Sequence, residues 1–270
     1  MVSQSILATG IIENGNAACG SSQGGPGIFT DTTGGGGGGG GNGTEGREGG
    51  GGFDNGSAPG SGGPNRPTSA DPLLGGCPGG IGRGKTAATD SRGGAGGGAI
   101  QLSVARTLTI SRRISVSGRG GEGGTGNASA GGAGGGGGGS GGRVVLEAFQ
   151  VNLTASARLT ANGGGGGEAG TADTNVSTDG ANGANGADDS LTPARGGRAN
   201  SDSGGDGGDG GAGSTPPQGG AVGGTKNNAE GGGGGGGGAV GFIHLRSVQT
   251  CAITVGAVIS PPATGGCQSP

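Results

Sequence analysis

Apolar and polar residues alternate along three segments of the chain, 99–117, 143–162 and 239–260. A period of two with many Val, Ile, Leu and Thr residues predicts β-strands, and each segment has room for two or three strands of about four to six residues. We expect the apolar positions to form one buried stripe. These positions are Ile100, Leu102, Leu108, Ile110, Leu146, Leu153, Ile243, Leu245 and Ile253.

The three segments are copies of one unit. Sliding the first along the chain until Ile100 meets Ile243 overlays it on the third without gaps. The middle segment fits with one extra residue, which brings Leu108 opposite Leu153. A shorter segment, 5–14, matches only the later half of a unit. The sequence therefore starts in mid-unit, which favours a piece of a longer protein.

Repetition of the unit predicts how the strands pack. One unit cannot bury its own apolar face, but equivalent strands stacked from successive units bury a continuous stripe. A short parallel β-solenoid and a small β-sandwich both satisfy this requirement. The shared direction and register of the units favour the solenoid.

Three glycine-rich insertions separate the strand segments, at 15–98, 118–142 and 163–238, and 85 of the 270 residues are glycine. Disorder is one interpretation of such a composition. However, the polar residues gather between the glycine tracts, where turns would be, instead of being mixed into them. Uninterrupted glycine runs lie at 34–41, 134–139 and 231–238.

Polyglycine II is the ordered alternative for these runs. It has three residues per turn and no internal hydrogen bonds, so every backbone N–H and C=O needs a partner in another segment. Segments at the perimeter need glycine only at every third residue, the period seen in 180–187 and 204–213. Collagen is a poor match because the period is not sustained and proline totals only 12.

The predicted fold is thus a single repetitive domain, 1–270, that is mainly β with little or no α-helix. Short parallel strands form the scaffold, and polyglycine II bundles extend from it. Partial disorder of the insertions remains the alternative.

Composition and charge exclude several classes of partner. The chain has no Trp or Tyr and a net charge of −3, and no basic patch is interleaved with aromatic residues, so we expect no nucleic acid partner. No apolar run reaches 18 residues, so no membrane-spanning helix is expected. The first residues lack the basic and apolar regions of a signal peptide, which leaves a cytosolic protein or a piece of a longer secreted one.

The four cysteines, Cys19, Cys77, Cys251 and Cys267, point to an oxidising compartment. No C-x-x-C spacing occurs and the chain has one histidine, so a zinc site is not expected. The even number predicts two disulfides. Three pairings are possible, and we favour Cys19–Cys77 and Cys251–Cys267 because each pair lies within one block of sequence.

Candidate catalytic and binding motifs are weak. Residues 79–86, GGIGRGKT, match a phosphate-binding loop, but neither a buried strand before them nor a helix after them is expected. His244 has no neighbours that would complete a catalytic triad. We therefore predict no enzyme, no catalytic residue, no cofactor and no structural metal. Weak calcium binding is open for a set of scattered aspartates, Asp188, Asp189, Asp202, Asp206 and Asp209.

Residues 134–170, GGGGGGSGGRVVLEAFQVNLTASARLTANGGGGGEAG, carry a resemblance that covers most of the chain. Glycine tracts alternate there with two-strand units, which is similar to glycine-rich, PGRS-type bacterial surface proteins. The resemblance implies a secreted or cell-envelope protein without established catalysis. The glycine tracts also resemble the polyglycine II bundles of springtail antifreeze proteins and phage tail-fibre adhesins. This chain lacks the strict G-x-x repeat of the former and the aromatic-rich attachment region of the latter.

We therefore expect a non-enzymatic extracellular structural protein of a surface layer, fibre or filament. Its partners would be other copies of itself or other surface proteins. An adhesin or ice-binding module that uses a flat polyglycine II face is the alternative.

Overall fold

A computed structural model describes residues 6–7, 19–54, 57–67, 73–127, 131–172, 177–198, 203–226, 228–249 and 251–266. The described chain is mainly β, as predicted, and has almost no helix. Two 3₁₀ helices of three residues each lie at Gly20–Ser22 and Ala87–Thr89.

Strands of two to twelve residues make up the regular structure. In chain order they are β1 Ile6–Leu7, β2 Phe29–Thr30, β3 Thr33–Gly34, β4 Ala99–Ile110, β5 Arg113–Ser115, β6 Gly126–Asn127, β7 Gly131–Gly132, β8 Arg143–Leu153, β9 Arg158–Thr160, β10 Thr171–Ala172, β11 Ser177–Thr178, β12 Thr225–Lys226, β13 Ala229–Gly231, β14 Phe242–Ser247, β15 Ala252–Ile253 and β16 Val258–Ser260.

The alternating segments form two open, parallel sheets. In sheet A, β8 is central, with β4 on one side and β14 and β15 on the other. In sheet B the order is β1, β5, β9 and β16. Each of the three long segments therefore contributes first to sheet A and then to sheet B, and successive segments lie side by side.

The register of sheet A places several of the residues matched in the overlay at the same level. Leu102 and Leu245 both lie opposite Leu146. Further along the strands, Ile253 lies opposite Leu153. Equivalent apolar residues thus occupy the same level, which keeps the stripe continuous from one segment to the next.

One predicted match is wrong. Leu108 lies opposite Val151, whereas the sequence comparison places it opposite Leu153. The register of β4 against β8 shifts by one residue between Val104 and Thr107. An irregularity of this kind adds a residue to one strand only. The sequence comparison places the extra residue in the middle segment, whereas in the structure it lies in β4.

The core lies between the two sheets. Leu146, Leu153 and Ile243 of sheet A are buried against Ile114 and Leu159 of sheet B. Most positions of the expected stripe are thus buried, but burial decreases toward the edges of the sheets. Ile100 and Leu102 on β4 are only half-buried against the core.

Ile253 departs from the expectation of burial, since 48% of its surface is exposed. It belongs to β15, a strand of two residues at the outer side of β8. No strand of the described chain lies beyond it, so this side chain is open on one side.

Two further four-stranded sheets lie within the glycine-rich insertions, where the sequence predicts no strand. Their orders are β2-β3-β7-β6 and β11-β10-β13-β12, and all but one of their pairs are antiparallel. Strands of two or three residues are too short for an alternating pattern. Three of them, β3, β7 and β13, lead directly into the glycine runs.

The core position of Leu146 generates a prediction about stability. We expect Leu146→Ala to lower the free energy of unfolding by about 2–5 kcal/mol because it leaves a cavity in a buried cluster. Phe149→Ala on the same strand is the control, since 47% of Phe149 is exposed, and its cost should stay near 0.5 kcal/mol. Urea denaturation of both variants measures this difference, and equal costs would contradict the two-sheet core.

Candidate functional site

The glycine run at 231–238 makes its backbone hydrogen bonds to other segments. From Gly232 to Ala239, successive N–H groups donate in turn to carbonyls in 161–170, 34–41 and 218–221, and every third residue returns to the same neighbour. The donor–acceptor distances are 2.8–3.0 Å. The backbone thus directs its N–H groups in three directions, with a period of three.

The carbonyls of the same run accept hydrogen bonds in the same way. Those of Gly232 to Ala239 receive N–H groups from 205–211, 135–141 and 47–50 in turn. The run therefore has six hydrogen-bonded neighbours, and each of its peptide groups is satisfied on both sides. A backbone without internal hydrogen bonds requires this arrangement when it is buried.

The other long glycine runs form hydrogen bonds to their neighbours in the same way. Those at 34–41 and 134–139 each bond to six neighbouring segments with a period of three, and so does the five-glycine run at 163–167. We call these four segments the interior runs, and we call the whole set of laterally bonded segments the glycine bundle.

Segments at the perimeter of the bundle have fewer neighbours and less glycine. In 180–187, Gly180, Gly183 and Gly186 donate inward to 118–124 at 2.8–2.9 Å. This segment has three neighbours, whereas 204–211, with two glycines in three, has four. The glycine content of a segment therefore rises with the number of segments that surround it.

Polar side chains in and next to 180–187 accept hydrogen bonds from backbone N–H groups at the surface of the bundle. The Oδ1 atoms of Asn182 and Asn185 accept hydrogen bonds from the N–H groups of Gly123, at 2.8 Å, and Gly120, at 3.1 Å. Asp179 does the same for Gly126 at 2.9 Å. The period of three in the sequence thus places a side-chain acceptor opposite every third N–H of the adjacent segment.

Close approach of backbones explains why the interior runs contain no other residue. A Cβ atom on Gly235 would lie less than 3.0 Å from the carbonyl oxygen of Gly136, and one on Gly137 would meet that of Gly38 in the same way. At Gly219, on the perimeter, the nearest atom is the Glu48 carbonyl oxygen at 3.5 Å, which is ordinary contact.

The outer face of sheet A carries a cluster of charged and polar side chains. Glu147 accepts hydrogen bonds from Ser103 Oγ at 2.8 Å and Gln101 Nε2 at 2.9 Å, and Arg246 lies 3.2 Å away on the next strand. These hydrogen bonds lower the pKa of Glu147, and the hydrogen bond from Ser103 has the largest effect. The cluster borders an open groove of about 790 Å³, in which Phe149 is exposed.

His244 lies on the same face and forms no catalytic triad. Its Nδ1 is 3.2 Å from Thr264 Oγ1. Burial, assisted by the positive charge of Arg246, lowers the pKa of His244, so the imidazole stays neutral to lower pH than usual. This contact links β14 to the segment that contains Thr264.

The phosphate-loop match at 79–86 has its amides engaged elsewhere. The N–H groups of Gly79 and Gly80 donate to the carbonyls of Gly94 and Gly38, at 2.9 and 2.7 Å. A 3₁₀ helix of three residues follows in place of an α-helix. A phosphate would have to displace these hydrogen bonds, so the motif belongs to the bundle.

Three of the aspartates considered for calcium pair with arginine. Asp206 and Asp209 lie 3.8 and 2.9 Å from Arg198, and Asp188 lies 2.9 Å from Arg113. Within the described ranges, no group of three or more His, Cys, Asp or Glu side chains is placed to hold a metal ion. Asp202 lies outside those ranges.

The predicted pairing of Cys19 with Cys77 is confirmed. The bridge joins buried residues 58 positions apart in sequence, with 5.6 Å between their Cα atoms. The second predicted pairing, Cys251–Cys267, involves Cys267, which lies outside the described residues.

No helix in the described part of the chain is long and apolar enough to cross a membrane. Comparisons with protein-family models, with curated proteins and with solved structures give no match to this chain.

The crowding at interior glycines generates a prediction. Gly235→Ala should destabilise the protein by at least about 1–3 kcal/mol because the methyl group forces two backbones apart. Gly219→Ala adds the same methyl group where space is available, and it should be neutral or stabilising by about 0.4–1 kcal/mol. Denaturant unfolding of both variants gives the comparison. Equal effects would show that the interior run is not packed in this way.

The hydrogen bonds to Glu147 generate a second prediction. The pKa of Glu147 should lie below its ordinary value of about 4.3, and Ser103→Ala should raise it. Because the folded state holds the carboxylate ionised, this contribution to stability is present above about pH 4.3 and is lost as the pH falls through the folded pKa. Carboxyl carbon NMR titration measures the shift. Ser156→Ala is the control, and a pKa that Ser103→Ala leaves unchanged would refute the assignment.

Proposed function

We propose that the glycine bundle is a polyglycine II assembly and that the chain is a non-enzymatic structural protein of an extracellular surface layer, fibre or filament. The carrying observation is that the four interior runs each have six hydrogen-bonded neighbours with a period of three. Three residues per turn without internal hydrogen bonds is the geometry of the polyproline II class of helix.

The proposed role follows from how such a bundle is stabilised. Ordering the backbone costs about 1–2 kcal/mol per residue, and glycine loses the most freedom. Lateral hydrogen bonds offset this cost only when most segments are in place together. At about 3.1 Å per residue, a run of eight glycines spans about 25 Å. The result is a stiff, cooperative rod that suits a mechanical or covering role.

The strand segments support a short solenoid as the base of the bundle. Successive segments add strands side by side to both sheets, always in the same direction. The interior runs at 134–139 and 231–238 continue into β8 and β14 within a few residues. In this proposal the parallel sheets set the direction of the rods, and the apolar core anchors them.

An extracellular location is supported by the Cys19–Cys77 disulfide, since disulfides persist in oxidising compartments. The resemblance to PGRS-type bacterial surface proteins points the same way. The alternative role as an ice-binding module or adhesin has less support. Asn182 and Asn185, which would line a flat face of the bundle, already accept hydrogen bonds from Gly123 and Gly120.

Hydrogen exchange tests the proposal. In the native protein, amides in 232–239 should exchange at least about 100-fold more slowly than in the chain unfolded in denaturant. The exposed turn residues Val255 and Gly256 are the internal reference. Immunogold electron microscopy on the source cells should place the protein at the surface. Exchange at the unfolded rate would refute the bundle, and labelling confined to the cell interior would refute the location.

A further inference from the structure

Asn–Gly sequences recur along the chain and are chemically labile. There are six of them, and four, which begin at Asn42, Asn162, Asn182 and Asn185, lie within the described ranges. Asparagine is a thermolabile residue. A following glycine makes it more so, because no side chain hinders the approach of the glycine backbone to the asparagine side chain.

The reaction that degrades such a sequence is intramolecular. The backbone nitrogen of the glycine gives up its proton and attacks Cγ of the asparagine, so that a C–N bond forms, ammonia leaves and a cyclic imide remains. Water then opens the ring at one of its two C–N bonds and yields aspartate or isoaspartate. A hydrogen bond from the glycine N–H opposes the first step, because that nitrogen must lose its proton and move toward Cγ.

Asn182, on the perimeter of the glycine bundle, is held in a way that opposes this reaction. The N–H of Gly183 donates to the carbonyl of Gly121 at 2.9 Å. The Oδ1 atom of Asn182 accepts a hydrogen bond from the N–H of Gly123 at 2.8 Å. Asn185 repeats both contacts one period further along the segment. In both places the attacking nitrogen and the side chain that it would attack are fixed.

Asn42 and Asn162 are held in a similar way inside the molecule. The N–H of the glycine that follows each of them donates to a neighbouring carbonyl, at 2.9 and 2.8 Å respectively. Each Nδ2 atom also donates to a backbone carbonyl at 2.7 Å. Both side chains are buried, whereas Asn182 and Asn185 are exposed to the water that the second step consumes.

The three Asp–Gly sequences of the chain, which form the same imide with loss of water, share this feature. The glycine N–H groups that follow Asp179, Asp206 and Asp209 donate to carbonyls at 2.8–3.0 Å. Every described Asn–Gly or Asp–Gly sequence therefore has its attacking nitrogen engaged. Along 180–187 the period of three explains this result, because it directs the glycine N–H groups inward.

The two products would differ in their effect on the bundle. Asp179 accepts a hydrogen bond from the N–H of Gly126 at 2.9 Å, so an aspartate can take the place of an asparagine at this surface. Isoaspartate adds a methylene group to the backbone. In place of Asn182 it would move Gly183 and Gly186 out of register with their acceptors.

We propose that Asn182 and Asn185 are latent deamidation sites controlled by the glycine bundle. While 180–187 stays hydrogen-bonded to 118–124, both asparagines persist. When the segment detaches, the following glycine nitrogen attacks Cγ and ammonia is released. Conversion to isoaspartate then prevents the segment from packing again, so the modification records an opening of the perimeter.

The segment 180–187 is the part of the bundle that we expect to open first. It has three neighbours, whereas each interior run has six. Segments with fewer contacts open at a lower free energy. The two exposed asparagines should therefore convert before Asn42 and Asn162, which are enclosed by the rest of the structure.

Peptide mapping by mass spectrometry tests the proposal on the full-length chain held at neutral pH. Asn182 and Asn185 should deamidate at least about 100-fold more slowly than in the free peptide DGANGANGAD, residues 179–188. Urea below the unfolding midpoint should accelerate deamidation and the amide exchange of the segment by the same factor. Deamidation at the rate of the peptide would overturn the proposal, and so would earlier conversion of Asn42 or Asn162.

Gly180→Ala is the variant that should open the segment. Its Cβ atom would lie less than 3.0 Å from the carbonyl oxygen of Glu168, so deamidation should become at least about 10-fold faster. Gly219→Ala adds a methyl group at another perimeter position where space is available, and it should stay within about 2-fold of wild type. Faster amide exchange in Gly180→Ala without faster deamidation would refute control by the bundle. If this variant fails to fold or leaves exchange unchanged, the urea series decides.

The products give an independent test. Asn182→Asp should leave amide exchange in 180–187 within about 2-fold of wild type. The isoaspartate form, separated by ion-exchange chromatography, should exchange at least about 10-fold faster there. Equal exchange in the two forms would refute the loss of register.

These sites rest on the lateral hydrogen bonds that the proposed function also uses, but the two can fail separately. Rapid deamidation of Asn182 and Asn185 together with slow exchange in 232–239 would refute the sites and leave the proposed function standing. Rapid exchange in 232–239 would refute the bundle itself.

Discussion

The lateral hydrogen bond between extended backbones is the interaction on which the rest of this structure depends. A segment that forms no hydrogen bonds within itself must place every buried N–H and C=O against another segment. In the run at 231–238 these groups point to six neighbours in succession. Neighbours on all sides leave no space for a Cβ atom, so interior segments are glycine throughout, whereas perimeter segments such as 180–187 need glycine only at every third position.

The strand segments set a direction and a register, which the glycine runs cannot set by themselves. Glycines are identical, so a bundle made of them alone has no means to select direction or register. The alternating segments have such a means, because Leu146 and its neighbours on β4 and β14 must share one level to bury their side chains. Since the runs at 134–139 and 231–238 lead into β8 and β14, the packing of a small apolar core also aligns these two glycine runs.

The same architecture determines where the molecule is incomplete. A stack of parallel strands always has two ends, and each end exposes backbone groups. Here Thr264 and Gly266 cover the edge of β14, while no backbone group of the described residues bonds to the outer edge of β4 between Ala99 and Thr107. Ile100 and Leu102, which lie at this edge, are only half-buried against the core.

The sequence by itself favoured the Cys19–Cys77 bridge among three possible pairings. It determined the strand segments, their shared direction and most of the buried stripe. Those features depend on local alternation or on repetition, both of which can be read along one chain. Tertiary structure alone decided the shift that places Leu108 opposite Val151, the exposure of Ile253, and the short sheets that begin the glycine runs. It also decided which segments surround each run, such as 34–41 beside 231–238. Every glycine presents the same backbone, so the choice of neighbour depends on the three-dimensional arrangement and leaves no signal in the residues themselves.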